Sequence, residues 1–102
     1  MLDFSSKNGL HHACGHDGHM AALLSAAKLI AENRANLKKK VVFCFQPGEE
    51  GKYGAQKLLE ELPSLMEAVN KCFALHFHNA INPGEVKIEP GPVTALSNRF
   101  KI

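Results

Sequence analysis

Apolar side chains recur at helical spacing after a polar segment near the start of the chain. From Met20 they fall at positions 20, 23, 24, 27 and 30, the pattern of an amphipathic helix. We expect this helix to end near 33–36, with the Asp17 carboxylate as its N-terminal cap. Ala55, Leu58, Leu59 and Leu62 share a face and predict a second helix over 54–62. A short helical piece is expected around 65–69.

Two continuous apolar runs have the composition of buried β-strands. They are Val-Val-Phe-Cys-Phe at 41–45 and Cys-Phe-Ala-Leu at 72–75, and such runs are typical of strands covered on both faces of a parallel sheet. We therefore expect Cys44 and Cys72 to be buried thiols. A short edge strand is expected at 86–88. The order helix, strand, helix, strand predicts an α/β fold with helices packed on a mostly parallel sheet.

Composition narrows the class of protein. With 102 residues, 45% of them hydrophobic and 22% charged, the chain can form one small core. A net charge of +2 gives no reason to expect a nucleic-acid or membrane partner. No apolar run approaches the roughly 20 residues that span a bilayer, and the first residues lack the apolar centre of a signal peptide. Three cysteines without scaffold spacing favour a reducing, cytoplasmic compartment.

The candidate chemistry lies in the polar segment at 11–19. It holds four of the six histidines, together with Cys14 and Asp17. Thiolate and imidazole are the donors that zinc prefers, and a carboxylate can bind the metal or orient a histidine that does. Cys14 and His16 are two apart, so they can face the same way in a loop but not on a helix. The alternative is a polar loop whose histidines are coincidental.

Further donors follow the predicted strands. Glu49 and Glu50 come after the run at 41–45, and His76 closes the run at 72–75. Because sites in open α/β sheets form outside the carboxyl ends of the strands, we expect these side chains to meet the Cys14 segment. One carboxylate can hold a metal while the other acts as a general base. Taken alone, the two glutamates could equally form an exposed acidic turn.

Three motifs together carry a family resemblance. His-Ala-Cys-Gly-His-Asp-Gly-His at 12–19, Gln-Pro-Gly-Glu-Glu-Gly at 46–51 and Leu-His at 75–76, in this order, resemble the amidohydrolases of the aminoacylase, hippurate hydrolase and auxin-conjugate hydrolase group. These are metallopeptidases related to carboxypeptidase G. The resemblance implies a partial, three-layer zinc-peptidase-like catalytic domain over 1–95. It also implies that 96–102 begin a lid or dimerisation domain.

The resemblance also assigns roles to single residues. Cys14 would be a thiolate ligand that bridges two divalent ions (zinc, manganese or cobalt). His16, Glu50 and His76 would be further metal ligands, and Glu49 would be the general base. Asp17 and His19 would have supporting or structural roles, and neither His11 nor His78 is assigned one.

The implied activity is hydrolysis of the amide bond of N-acyl amino acids or similar peptide-like small molecules. The enzymes of this group are several times longer than this chain. They also carry an aspartate-rich motif, a lid domain and a distal histidine ligand that are absent here. We therefore expect activity only in a longer or complemented form, for which a homodimer is also expected. The alternative is a catalytically inactive metal-binding fragment of such an enzyme.

Overall fold

The computed structural model describes residues 2–94, and the regular secondary structure of this part of the chain is helical. Its helices are α1 (His16–Glu32), α2 (Glu49–Lys52), α3 (Gly54–Glu61) and α4 (Pro63–Ala68), with a 3-10 turn at Arg34–Asn36. The predicted start of a lid or dimerisation domain at 96–102 lies outside the described residues. No helix within 2–94 is both long enough and apolar enough to cross a membrane.

The first helix begins four residues before the apolar pattern does. Gly15 takes the N-cap position in the left-handed conformation (φ 74°), and no side chain caps the helix. The prediction that Asp17 is the cap is therefore wrong. Asp17 is the second helical residue, where its charge still favours the positive end of the helix dipole. At the other end, the Asn33 side chain donates to the Leu29 carbonyl at 2.8 Å, within the predicted end region.

The buried face of α1 differs in part from the predicted one. Beyond His19, the half-buried side chains of α1 are apolar and follow one stripe: Ala22, Leu23, Ala26, Ala27 and Ile30. Met20 and Leu24, which the pattern placed on the core side, are 46% and 60% exposed. The helix itself is confirmed, but its half-buried face includes Ala22 and Ala26 in place of Met20 and Leu24.

The predicted strands do not occur among the described residues. The segments 41–45 and 72–75 have no regular secondary structure, and neither does 86–88. Cys44 and Cys72 are exposed, so the prediction of buried thiols is wrong. A strand needs a hydrogen-bonded neighbour and a covered face, and no hydrophobic side chain within 2–94 is buried. The mostly parallel sheet is therefore not confirmed.

The segment between the first run and α3 is a series of tight turns. Gly48, Gly51 and Tyr53 all have positive φ values, of 59°, 68° and 55°, so α2 is a kinked single turn rather than a regular helix. The Gly54 N–H donates to the Gly48 carbonyl at 3.3 Å. A Cβ atom at Gly54 would overlap the Pro47 carbonyl oxygen, so only glycine allows this fold-back.

The two later helices agree with the sequence pattern. The predicted helix over 54–62 is confirmed as α3, which ends one residue earlier. The helical piece expected around 65–69 is α4, and it begins two residues earlier, at Pro63. Proline fits the first turn of a helix because its missing N–H would have no helical partner there.

Candidate metal centre

The candidate donor residues converge although the predicted sheet is absent from the described residues. The Cys14 Sγ atom lies 3.4 Å from His76 Nε2, a contact that joins residues 62 positions apart. One donor atom each from Cys14, His16 and His76 lies within 4.8 Å of the others. The loop before α1 and the segment after 72–75 therefore meet at one place.

The second group of donors shares His16 with the first. His16, Glu49 and Glu50 also offer donor atoms within 4.8 Å of one another. The His16 Nε2 atom lies 3.7 Å from a Glu49 carboxylate oxygen and 4.0 Å from one of Glu50. All five residues that the sequence singled out as ligands or base are thus brought together, with His16 at the centre.

Local backbone geometry explains how Cys14 and His16 face the same site. The Gly15 N–H donates to the His12 carbonyl at 3.1 Å, which closes a tight turn before the helix. Cys14 lies in this turn and His16 is the first residue of α1. The left-handed Gly15 between them redirects the chain.

The orientation of His76 leaves one ring nitrogen free for a ligand. Its Nδ1 atom lies 2.6 Å from the Phe77 carbonyl oxygen. A carbonyl can only accept, so Nδ1 carries the proton and Nε2 presents its lone pair toward Cys14. A histidine that donates its other N–H to a carbonyl is the usual arrangement for metal ligation.

His19 is a site residue for which the family resemblance implied only a supporting or structural role. Its Nε2 atom accepts the Phe77 N–H at 3.0 Å. Its ring lies 4.4 Å from that of His76 and 5.2 Å from that of His16, between centroids. Partial desolvation, followed by the neighbouring His76 and His16, lowers the pKa of His19. The spacing of three residues from His16 was the available signal, because it places both rings on one face of α1.

Phe77 packs its ring directly on the start of α1. A Cβ atom at Gly15 would lie 3.5 Å from the ring, and one at Gly18 would overlap it. Gly18 has an ordinary helical conformation, so its backbone does not require glycine. Glycine is needed there because a side chain would occupy the space of the Phe77 ring. The two glycines of the histidine-rich segment therefore let the His76 segment approach α1.

An open cavity of about 270 Å³ adjoins the donors. Its walls are formed by His11, His12, Ala13, Cys14, His16 and Glu50. Glu50 thus faces this space, whereas Glu49 does not line it. Partial desolvation and the adjacent Glu50 carboxylate raise the pKa of the Cys14 thiol. His78 stays outside, and its Nδ1 atom accepts the Ala80 N–H at 3.2 Å.

The donor set suits a divalent first-row metal ion. It combines one thiol, two imidazoles and two carboxylates, and zinc takes ligands of all three kinds. The glutamate side chains are 60% and 72% exposed and His16 is 31% exposed. Ion pairs at such exposure contribute little to stability, so folding alone gives no strong reason to gather these groups.

The comparisons with known proteins give three informative relatives. The chain is 42% identical to N-acetyl-L-cysteine deacetylase of Bacillus subtilis, and the match covers 99% of the chain and 24% of that relative. It is 45% identical to IAA-amino acid hydrolase ILR1-like 4 of Arabidopsis thaliana, over 99% and 23%. It is 36% identical to N-acyl-L-amino acid amidohydrolase of Geobacillus stearothermophilus, over 99% and 26%. No solved structure matches.

The chain spans about a quarter of the length of the curated relatives that it matches. Peptidase family M20/M25/M40 matches residues 1–98, which is nearly the whole chain. The resemblance to amidohydrolases seen in the three motifs is confirmed by these matches. The chain therefore belongs to peptidase family M20/M25/M40.

Proposed function

We propose that this chain is the metal-binding part of an amidohydrolase that cleaves N-acyl amino acids in a longer or complemented form. One observation carries the proposal: Cys14, His16, Glu49, Glu50 and His76 come from three distant segments and gather their donor atoms in two overlapping groups. The relatives named as a deacetylase, an amino acid hydrolase and an amidohydrolase support the substrate class.

Cys14, His16, Glu50 and His76 would hold two divalent ions. Thiolate and imidazole favour zinc and cobalt, whereas the carboxylate also tolerates manganese. When bound, such ions would polarise the amide carbonyl and acidify a water molecule. His76 contributes through Nε2, because its Nδ1–H is held by the Phe77 carbonyl. His16 contributes through the Nε2 atom that faces both glutamates.

Glu49 is proposed as the general base and Glu50 as the ligand. Glu50 lines the cavity beside Cys14 and His16, whereas Glu49 reaches His16 from outside that cavity at 3.7 Å. In the hydrolysis, the water oxygen bonds to the carbonyl carbon and Glu49 takes one of its protons. Glu49 then gives this proton to the amide nitrogen as the carbon–nitrogen bond breaks. The products are a carboxylic acid and an amino acid.

The full architecture is also part of the proposal. Residues 41–45 and 72–75 would become strands of a three-layer catalytic domain when neighbouring strands cover them. The exposed Phe73 and Leu75 side chains, at 89% and 55%, support this because strands of parallel sheets are buried on both faces. A reducing, cytoplasmic location fits three free, exposed thiols. A homodimer of the longer form is proposed from the resemblance alone.

A metal-binding fragment without catalysis is the second candidate. It is favoured by the absence of any buried hydrophobic side chain within residues 2–94. A site of this kind could bind metal through its converging side chains and still fail to hold a substrate away from water. Metal binding is common to both candidates, and turnover separates them.

Metal binding by the chain tests the shared part of the proposal. We expect the purified 102-residue chain to retain zinc or cobalt after mild dialysis, as measured by elemental analysis. The Cys14→Ser/His16→Ala variant should lose it. The matched control is Cys44→Ser/His78→Ala, which removes the same atoms outside the site and should keep the metal. Absence of metal from the wild type, or equal loss in both variants, would reject the site.

Turnover tests the catalytic part. A longer form that includes this chain should hydrolyse N-acetyl amino acids. Its Glu49→Gln variant should keep the metal and lose turnover, because a carboxamide cannot accept the proton. Glu60→Gln is the control, since Glu60 lies in α3 and accepts a hydrogen bond from Gln56 at 2.8 Å. A metal-loaded longer form without turnover would support the non-catalytic candidate.

A further inference from the structure

We infer that His19 is a positioning residue, which sets the orientation of His76 at the metal centre through the backbone of Phe77. The inference rests on the proposed function, because it assumes that His76 Nε2 is a ligand. Its basis is a continuous set of contacts from the first turn of α1 to the Cys14 thiol.

The first contact fixes the peptide unit that follows the Cα of His76. The Phe77 N–H belongs to this unit and donates to His19 Nε2 at 3.0 Å, between residues 58 positions apart. Because an N–H can only donate, His19 Nε2 must carry a lone pair and is occupied by this bond. His19 is therefore unable to offer the same nitrogen to a metal ion.

The second contact sets the tautomer of His76. The carbonyl of Phe77, the residue whose N–H His19 binds, accepts the His76 Nδ1–H at 2.6 Å. This leaves His76 Nε2 unprotonated and 3.4 Å from Cys14 Sγ. His19 thus acts on His76 indirectly. It binds the backbone N–H of Phe77, and the backbone carbonyl of Phe77 accepts the imidazole proton of His76.

Ring packing supports the same orientation. The His19 and His76 rings meet edge to face with centroids 4.4 Å apart, and His19 and Phe77 do so at 5.1 Å. His19 lies in the first turn of α1, three residues after His16. One helical turn therefore carries both His16, a proposed ligand, and His19, which orients the second proposed ligand, His76, from a distant segment.

Three substitutions separate the hydrogen bond from the packing. His19→Phe keeps a ring but removes the acceptor. His19→Gln keeps an acceptor near the position of Nε2 but removes the ring. His78→Phe is the matched control, because His78 Nδ1 also accepts a backbone N–H, from Ala80, outside the donor groups.

The first readout is cobalt binding to the 102-residue chain, followed by its visible absorption. We expect His19→Phe to weaken affinity by about 10- to 100-fold, the usual effect of losing a residue that orients a ligand. The ligand-field bands should also change, while the thiolate charge-transfer band from Cys14 remains. His19→Gln should recover most of the affinity, and His78→Phe should match the wild type. Equal affinities in His19→Phe and wild type would overturn the inference, as would equal losses in His19→Gln and His19→Phe.

The second readout needs no metal. In the metal-free chain, the nitrogen-15 shifts of the His76 ring should show the Nδ1–H tautomer in the wild type and in His19→Gln. In His19→Phe the population should move toward the Nε2–H tautomer. If the wild type binds no cobalt, the proposed metal centre fails and this measurement still tests the positioning. An unchanged His76 tautomer in His19→Phe would refute the role of His19.

Discussion

At the scale of single residues, Glu49 and Glu50 show how far neighbouring positions can differ in chemistry. Both carboxylates lie about equally far from His16, at 3.7 and 4.0 Å. The chain kinks directly after them, because Glu50 has a non-helical ψ of 84°. Only Glu50 faces the cavity beside Cys14, and its carboxylate contributes to the raised pKa of that thiol.

This difference predicts unequal effects on metal affinity. We expect Glu50→Gln to weaken zinc binding to the chain by tenfold or more, because a neutral amide replaces an anionic ligand. Glu49→Gln should change the affinity by less than about threefold, since the base role requires no coordination. Competition titration with a zinc-sensitive dye measures both. The reverse order of effects would exchange the two roles.

At the scale of elements, the start of α1 and the segment 76–78 form one unit. Phe77 packs on Gly15 and Gly18, and the His19 ring holds the Phe77 N–H. The glycines of the histidine-rich motif are therefore packing positions, which explains why small residues alternate there with donors.

Gly18→Ala should separate helix stability from metal binding. Alanine favours a helix interior over glycine by about 1 kcal/mol, so helix content measured by circular dichroism should hold or rise. The added Cβ would overlap the Phe77 ring and move His76 away from Cys14. We therefore expect zinc affinity to fall by tenfold or more.

The control for this prediction lies farther along the same helix. Ser25 bonds to the Ala21 carbonyl within α1, so Ser25→Ala should leave zinc affinity unchanged. If Gly18→Ala binds zinc as tightly as the wild type, the close approach of Phe77 is not required for the site.

At the scale of the whole molecule, the described residues form a helical scaffold without a closed core. Large apolar side chains remain exposed, among them Phe4 at 84%, Phe73 at 89% and Ile88 at 88%. Extensive exposed apolar surface is usually covered by another part of a protein or by a partner. The relatives are about four times longer than the matched region, which is consistent with such cover in the longer form.

The 102-residue chain alone is therefore expected to show no significant amidase activity. Its cavity is open to solvent, and catalytic electrostatics are strongest in sites from which water is excluded. Hydrolysis of N-acetyl and N-benzoyl amino acids, with zinc or manganese supplied, measures this. Turnover at about 1–1000 per second, the ordinary range for enzymes, would contradict the prediction and show that the chain is sufficient.

The sequence by itself determined the local features of this protein. The apolar periods of α1 and α3 could be predicted because each depends on residues a few positions apart. The chemical types of the metal-donor groups could be predicted because they are properties of single side chains. The meeting of Cys14 and His76, across 62 positions, was expected from the motifs. Tertiary structure alone decided that His19 holds Phe77, across 58 positions. It also decided which face of α1 is covered and left 41–45 and 72–75 without strand structure. Such contacts depend on which distant segments pack against each other. The local spacing of apolar residues carries no information about this packing.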